Sequence, residues 1–447
     1  MILIIIIKIK FNTRVTNTKI LTVVIHNIWI GYSKVFYRSG QVMENNISMD
    51  NFYRNTVKDF PLINKNKNII YMDSAATTLK PQKVVDSICD FYYSYTSNVF
   101  RGVHPFSEKA SMNFEDTRRL VSSYINALPE EIIFTQNCTD SINLLKNLLN
   151  LNKNDIVINS ILEHHSNYLP WLKSTTLLTV NIDDNGMIDI NEILKKITKN
   201  TKLIAITYAS NVTGNIQPVE DIIKICKEKN ILSLIDATQA IAHIQIDVKK
   251  IDCDFMAFSA HKMLGPSGVG VLYIKDEIIH SLKPFKFGGG MVNQVIGNEI
   301  IVKDPPYCFE AGTPAIENVI AFGESIKYII QKGIENISLY LKEINQYAFG
   351  KLKNLDFINL PFNISDKHIP IFTFLPKNNH IDINYVSRLL SDRKNSIAVN
   401  AGYQCCHTLY SNFKINGAIR ASLYIYNSKK DIDELINALY DIKKFIQ

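Results

Sequence analysis

Ser259-Ala260-His261-Lys262-Met263-Leu264-Gly265-Pro266-Ser267-Gly268-Val269-Gly270 sets a lysine at a tight turn between two apolar runs. Phe255-Met256-Ala257-Phe258 upstream and Val269-Gly270-Val271-Leu272-Tyr273 downstream have the length and apolarity of buried strands. Gly and Pro fill four of the six positions after Leu264, which leaves little room for a helix. An ordinary surface lysine needs no such apolar brackets. A Schiff-base lysine needs a partly desolvated pocket that lowers its pKa, so that neutral amine is available. The turn by itself fits both readings.

A second segment separates them. Ile231-Leu232-Ser233-Leu234-Ile235 reads as a buried strand that ends in Asp236-Ala237-Thr238-Gln239. A carboxylate at a strand's C-terminal end, 26 residues before the lysine, suits the ring-nitrogen partner that pyridoxal phosphate requires. Alone, Asp236 is better read as a helix cap. Paired with Ser-x-His-Lys, it puts a ring-nitrogen partner and an aldehyde partner at neighbouring strand ends.

Periodicity extends the picture. Helical spacing over Val84–Tyr95, with Pro81 near its start, and over Glu108–Ile125 is followed by strand patterns at Asn154–Asn159 and Leu203–Thr207. The helical stretch Val219–Lys229 lies between that last strand and Ile231–Ile235. Such alternation predicts an α/β fold: a mostly parallel sheet covered by helices on both faces, with ligands at the strands' C-terminal ends. Near Thr313 the pattern turns to long helices, then from about Phe357 to a small mixed α+β region. The expected domains are 49–315 (large, carrying the lysine) and 316–447 (connecting helices and the small C-terminal domain).

Further segments run in the same order. They are Asp73-Ser74-Ala75-Ala76-Thr77, Arg101-Gly102-Val103-His104, Glu163-His164-His165-Ser166-Asn167, Ser210-Asn211-Val212-Thr213-Gly214, Phe309-Glu310-Ala311-Gly312-Thr313-Pro314 and Arg420-Ala421-Ser422. With the lysine turn, they resemble the class V aminotransferases of pyridoxal phosphate fold type I, and specifically a SUF-type (group II) cysteine desulfurase. The similarity runs from about Met49 to the C-terminus. It implies pyridoxal 5'-phosphate as cofactor, L-cysteine as substrate and Lys262 as the cofactor lysine. Asp236 would pair with the ring nitrogen, Gln239 with the phenolic oxygen, and His164 would stack on the ring. Thr139 at a helix N-terminus suits an anion, although a plain N-cap threonine reads the same way; Ser259 and His261 would add phosphate donors. Asn211 would lie against cofactor and substrate. Thr313 would reach the phosphate of a partner subunit, which makes the enzyme a homodimer.

The same resemblance gives Arg420 the substrate carboxylate, and a forked, permanently charged donor suits that group. Arg101 follows that logic more weakly. Removing sulfur from cysteine requires a nucleophile that attacks the substrate's sulfur, and a thiolate does this best. Cys405, in Gly402-Tyr403-Gln404-Cys405-Cys406-His407, stands at the family's persulfide position. Cys406 is its rival, and adjacent side chains usually diverge; Cys89, Cys226, Cys253 and Cys308 read as structural. Persulfide sulfur would pass to an acceptor protein of the SUF system for iron–sulfur cluster assembly. Two departures are Asn400, where the family commonly has arginine, and Phe100, where a histidine often precedes Arg-Gly. The alternatives are a selenocysteine lyase or another lyase or hydrolase of this fold, and a non-catalytic scaffold.

Composition agrees with this reading. The 447 residues are 46% hydrophobic, enough for a large core. Net charge is +7, but residues 1–43 hold six basic and no acidic side chains, so the rest carries 7 − 6 = +1. Nothing there suggests a nucleic-acid surface. Seven cysteines without CxxC spacing argue against a disulfide framework or a metal cluster. Residues 1–48 read as an organelle-targeting leader outside the fold, a misassigned gene start or a plain tail being the other reading. Its apolar runs, Met1–Ile7 and Ile20–Tyr32, are too short or interrupted to span a membrane, so the mature enzyme is not expected to insert in one. A plastid-type organelle is expected, with mitochondrion or cytoplasm as alternatives.

Overall fold

Alternation along each strand builds two cores back to back. Ile204 and Ile206 of strand Thr201–Thr207 pack into one apolar cluster, and Leu203 and Ala205 into another. Ile235 and Leu234 of the next strand divide in the same way. A sheet buried on both faces loses its polar positions, which is why these strands read as continuous apolar runs. The computed structural model describes residues 48–378 and 380–446. The leader expectation therefore lies outside the described residues, apart from Ser48, which caps helix Met49–Val57.

The seven-stranded sheet runs in the order Ile132–Thr135, Gly270–Ile274, Phe255–Ser259, Leu232–Asp236, Thr201–Thr207, Ile156–Ser160, Thr176–Val180. Gly270–Ile274 runs opposite to the other six strands. Helix Cys138–Leu149 covers one face through Ile142, Leu145 and Leu148, joined by Trp171. Val219, Ile222, Ile223 and Cys226 of helix Val219–Lys229 cover the other. The expected helices and strands occur within a few residues of their predicted ends; Val219–Lys229 matches at both.

A second, four-stranded antiparallel sheet has the order Ile358–Asn359, Ile371–Pro376, Ala418–Ser422, Asn400–Gly402. The N-terminal segment ties it to the first. Strand Ile69–Tyr71 pairs in parallel with Ser396–Ala398, and Asp73 bridges to Ser422. Residues 48–447 cluster as one compact unit that includes both sheets. Helix Ile316–Lys332 lies on Gln82–Ser94 and Pro105–Tyr124, and Ile334–Leu352 lies on Lys429–Ile446.

Gly270 lets two elements meet. A Cβ there would stand 2.4 Å from the carbonyl carbon and 2.5 Å from Cα of Asn137, the residue that caps helix Cys138–Leu149. Backbone cannot yield as a flexible side chain can. Gly270→Ala is expected to cost about 1–3 kcal/mol through overpacking, seen as a lower melting temperature. Gly350→Ala, with open space around its Cβ inside helix Ile334–Leu352, is expected to raise it by removing a flexible residue.

Candidate active site

Strand Phe255–Ser259 ends in a single 3₁₀ turn, Ala260–Lys262, which points the Lys262 amine at the turn after Asp73. Nζ donates to the carbonyls of Ala75 and of Ala76, the latter at 2.8 Å. Neither acceptor is charged, so neither holds the proton as a carboxylate would. Burial brings the Lys262 pKa down to about 8; the Arg420 guanidinium pushes the same way, against Asp73 and Asp236. Lys80 hangs on the same turn, through Thr77 Oγ1 and the His261 carbonyl, both at 3.2 Å, and burial beside Lys262 brings it to about 7.

Asp236 closes the neighbouring strand, buried at 5% exposure. Its Oδ1 accepts from the Thr238 amide at 3.0 Å and from Cys138 Sγ at 3.5 Å. It thus caps the following turn, and Oδ2 has no hydrogen-bond partner among the described residues. Gln239 donates to the Ala75 carbonyl at 3.0 Å, sharing that acceptor with Lys262. Ser259 Oγ accepts from the Cys138 amide at 2.8 Å, joining the lysine strand to the helix N-terminus. That helix is capped by Asn137, not Thr139: the Asn137 side chain accepts from the Asp140 amide. Thr139 stands exposed in the first turn and bonds Ser166 Oγ at 2.6 Å.

His164 opens the facing turn. Its Nδ1 contacts Ser166 Oγ at 2.8 Å, and burial pulls the imidazole down to about 4, so it stands neutral. His261 is likewise drawn to about 4 by burial and then by Lys262. Beneath His164, the buried Glu163 takes hydrogen bonds from Ser160, Asn167 and the Thr207 amide, while burial raises its pKa to about 8.

Arg420 arrives from the second sheet. It is 3% exposed; one terminal nitrogen bonds Asp73 at 3.0 Å and the other the Asn211 carbonyl at 2.9 Å. Its Nε is buried with no partner among the described residues. Asn211 in turn donates to the Gln404 carbonyl at 2.8 Å. Cys405 is exposed, and its carbonyl accepts from the His165 amide at 2.8 Å. Cys406 points inward against the Ile161 carbonyl, and burial pushes its thiol up to about 12. The adjacent cysteines diverge as expected. Gln404 and Cys405 both adopt positive φ, +42° and +56°, a region costing non-glycine residues on the order of 1 kcal/mol each.

Arg101 and Thr313 are not brought to Lys262. Both are exposed, form no hydrogen bond or ion pair among the described residues, and line one shallow cleft with Phe100 and Gly290. Phe100, at φ +63°, packs edge-on against Phe114 and Tyr307. Asn400 reaches Asp73 at 3.4 Å and Gln404 at 3.3 Å, an uncharged link between them. One expectation needs correcting: Cys89 is exposed on helix Gln82–Ser94, because its position falls on the outer face. Cys226, Cys253 and Cys308 are buried.

Sequence reasoning assigned no role to Asp73, Lys80 or Glu163. Each stood in or beside a quoted segment, but a partner 347 residues away, as for Asp73 and Arg420, leaves no local signal. Among the described residues no three His, Cys, Asp or Glu side chains are placed to hold a metal ion, and no helix is long and apolar enough to cross a membrane.

An aldehyde-bearing, phosphorylated pyridine fits these residues. A buried carboxylate without a counter-cation is costly, and the open Asp236 Oδ2 suits a protonated ring nitrogen. Lys262 supplies an amine with a lowered pKa, and the orphaned Arg420 Nε awaits an acceptor.

Comparison with known proteins agrees with the geometry. The class-V aminotransferase profile matches residues 70–435. A probable cysteine desulfurase of Borreliella burgdorferi is 38% identical over 423 residues, covering 90% of this chain and 98% of that protein. One from Halalkalibacterium halodurans is 36% identical, covering 87% and 97%. The apo structure of cysteine desulfurase from Thermococcus onnurineus superposes with TM-score 0.82 at 33% identity, covering 88% of this chain and 98% of that one. The Escherichia coli cysteine desulfurase CsdA gives 0.81 at 28%, covering 88% and 99%.

The buried charges around Lys262 make its titration predictable. An amine reagent applied to the cofactor-free protein is expected to label Lys262 with a midpoint near pH 8, below the ordinary 10.5. Arg420→Met is expected to move that midpoint up, since it removes a cation and leaves Asp73 unpaired. Asp236→Asn is expected to move it down. Peptide mapping across a pH series measures both.

Proposed function

The chain belongs to the class-V aminotransferase family, and within it we propose that it is a pyridoxal 5'-phosphate-dependent cysteine desulfurase. It converts L-cysteine to L-alanine and collects the sulfur as a persulfide on Cys405. One observation carries the reading. A continuous run of contacts leads from Arg420 through Asn211 to Gln404, the residue before Cys405, so the buried cation and the exposed thiol belong to one site.

Pyridoxal 5'-phosphate would be held by Lys262, Asp236, Gln239 and His164, with its phosphate near Thr139, Ser259 and His261; it supplies an aldehyde and an electron-accepting ring. Arg420 receives the substrate carboxylate, its open Nε adding a donor to a guanidinium already oriented by Asp73. Lys262 would be the base that removes the proton at Cα. Its lowered pKa leaves about a tenth of it as neutral amine at pH 7, far more than an ordinary lysine offers, and a base must be neutral. Asp236 would offer its carboxylate to the protonated ring nitrogen of that cofactor. Cys405 attacks the substrate sulfur as thiolate. The new S–S bond forms as the substrate's Cβ–S bond breaks and the released electron pair stays on the carbon side; one proton added at Cβ and one returned to Cα complete alanine.

The exposure of Cys405 suits delivery to a sulfur-acceptor protein of the SUF type, feeding iron–sulfur cluster assembly. Homodimerisation is supported by Thr313 and Arg101, exposed and without a hydrogen-bond or ion-pair partner among the described residues. A plastid-type organelle is the proposed location, supported by the basic, acid-free first 43 residues.

Incubation with cysteine is expected to give stoichiometric alanine and a persulfide that mass spectrometry finds on Cys405. Cys405→Ala is expected to lower sulfide release by roughly 100-fold or more, while borohydride still fixes cofactor on Lys262. Turnover of selenocysteine alone, surviving that substitution, would point to a selenocysteine lyase instead. Arg420→Lys is expected to raise KM for cysteine by about tenfold, near 1.4 kcal/mol.

A further inference from the structure

The segment that presents Cys405 is held in a conformation it would not adopt alone. Gln404 and Cys405 have φ of +42° and +56°, beside Gly402 at +129°, which glycine adopts freely. Conformations of that kind persist only where the surroundings over-determine them. Gln404 is fixed from within the site: Asn211 donates to its carbonyl, Tyr410 to its Oε1, and its Nε2 donates to the Ala418 carbonyl at 3.1 Å. Cys405 is fixed differently. Its carbonyl takes the His165 amide, and three rings close over the outside of the loop. Tyr403 stacks on His407 with centroids 4.2 Å apart and planes 15° apart. His407 stacks on His165 at 4.9 Å and 21°, and its Nδ1 lies 3.0 Å from His165 Nε2. Residues 403 and 407 thereby bend toward each other with the thiol residue between them, and His165 anchors both its carbonyl and its flank.

We propose that His165 and His407 are positioning residues, whose stacked and hydrogen-bonded rings brace the loop so that Cys405 stays presented to the substrate sulfur. The proposal rests on the reading of Cys405 as sulfur acceptor. It assigns to His165, otherwise a structural histidine, a part in the sulfur-transfer step. Substrate binding belongs to Arg420 and Asn211 on the inner side of the loop, so the brace acts on the rate and leaves affinity alone.

The test uses the cofactor-loaded enzyme. In His407→Ala, amide hydrogen exchange over residues 403–408 is expected to rise by about fivefold or more, with the rest of the chain unchanged. The kcat for sulfide release is expected to fall roughly tenfold, and KM for cysteine to stay within about twofold. His165→Ala is expected to behave alike. His407→Asn, whose amide reaches where Nδ1 sits, is expected to recover most of kcat. His407→Phe keeps the stacking on Tyr403 but not the hydrogen bond, and is expected to recover less. Unchanged exchange and kcat in both alanine variants would overturn the proposal, as would a loss confined to KM or an asparagine variant no better than alanine. Cys405→Ala separates the two ideas: turnover surviving in it removes the desulfurase reading, whereas the exchange measurement reports on the brace whichever way that falls.

Discussion

Two cations, Lys262 and Arg420, are buried within each other's electrostatic reach, and neither is fully neutralised. Everything around them follows from that constraint. Lys262 rests on neutral carbonyls, Arg420 shares Asp73 and leaves Nε open, and Asp236 faces the same space with one oxygen unclaimed. Such groups are costly to hold dry and unpaired. The site is therefore stable as a receptor for something that brings both an acceptor for a guanidinium and a cation for a carboxylate. A ligand pair with one carboxylate and one protonated ring nitrogen would bring both.

The two sheets supply opposite halves of this arrangement. The parallel sheet ends its central strands at one edge, so Asp236 and the Ser259–Lys262 turn emerge side by side. Strand Ala418–Ser422 brings Arg420 from the other sheet, and strand Asn400–Gly402 beside it leads into the cysteine loop. Residues 69–78 lie between them: Ile69–Tyr71 pairs with Ser396–Ala398, Asp73 takes Arg420, and Thr77 and Thr78 bond the His261 carbonyl. A small shift in this short segment would be felt at the lysine and the arginine together. At Asn400, the cysteine end of the site has a neutral amide touching Asp73. That leaves Arg420 as the one cation bonded to this carboxylate among the described residues.

Much of this was legible in the chain. The lysine turn could be recognised because its glycines, its proline and its apolar flanks each exclude other local structures, and Asp236 because a strand runs straight into it. Cys405 and Cys406 were separable in principle, since neighbouring side chains point apart, but which one faces outward depends on the turn that Gln404 and Cys405 make at positive φ. Cys89 was misread because an apolar helix stretch does not reveal which side chain falls on its outer face. Thr139 was placed in the right turn of the right helix, yet the cap belongs to Asn137; Asn and Thr both serve there, so composition could not choose.

By itself, then, the sequence determined the α/β class, the buried strands, the lysine turn, the carboxylate at the end of the neighbouring strand and the family, because each is written in residues close together along the chain. Tertiary structure alone decided how the charges are shared, Asp73 with Arg420, Lys80 beside Lys262 and Glu163 next to His164, and it set the His165–His407–Tyr403 rings beside the Cys405 loop. The physical reason is that burial and pairing depend on which distant segments are packed together. Short-range patterns record how a strand or turn forms, but not which other element later excludes water from it.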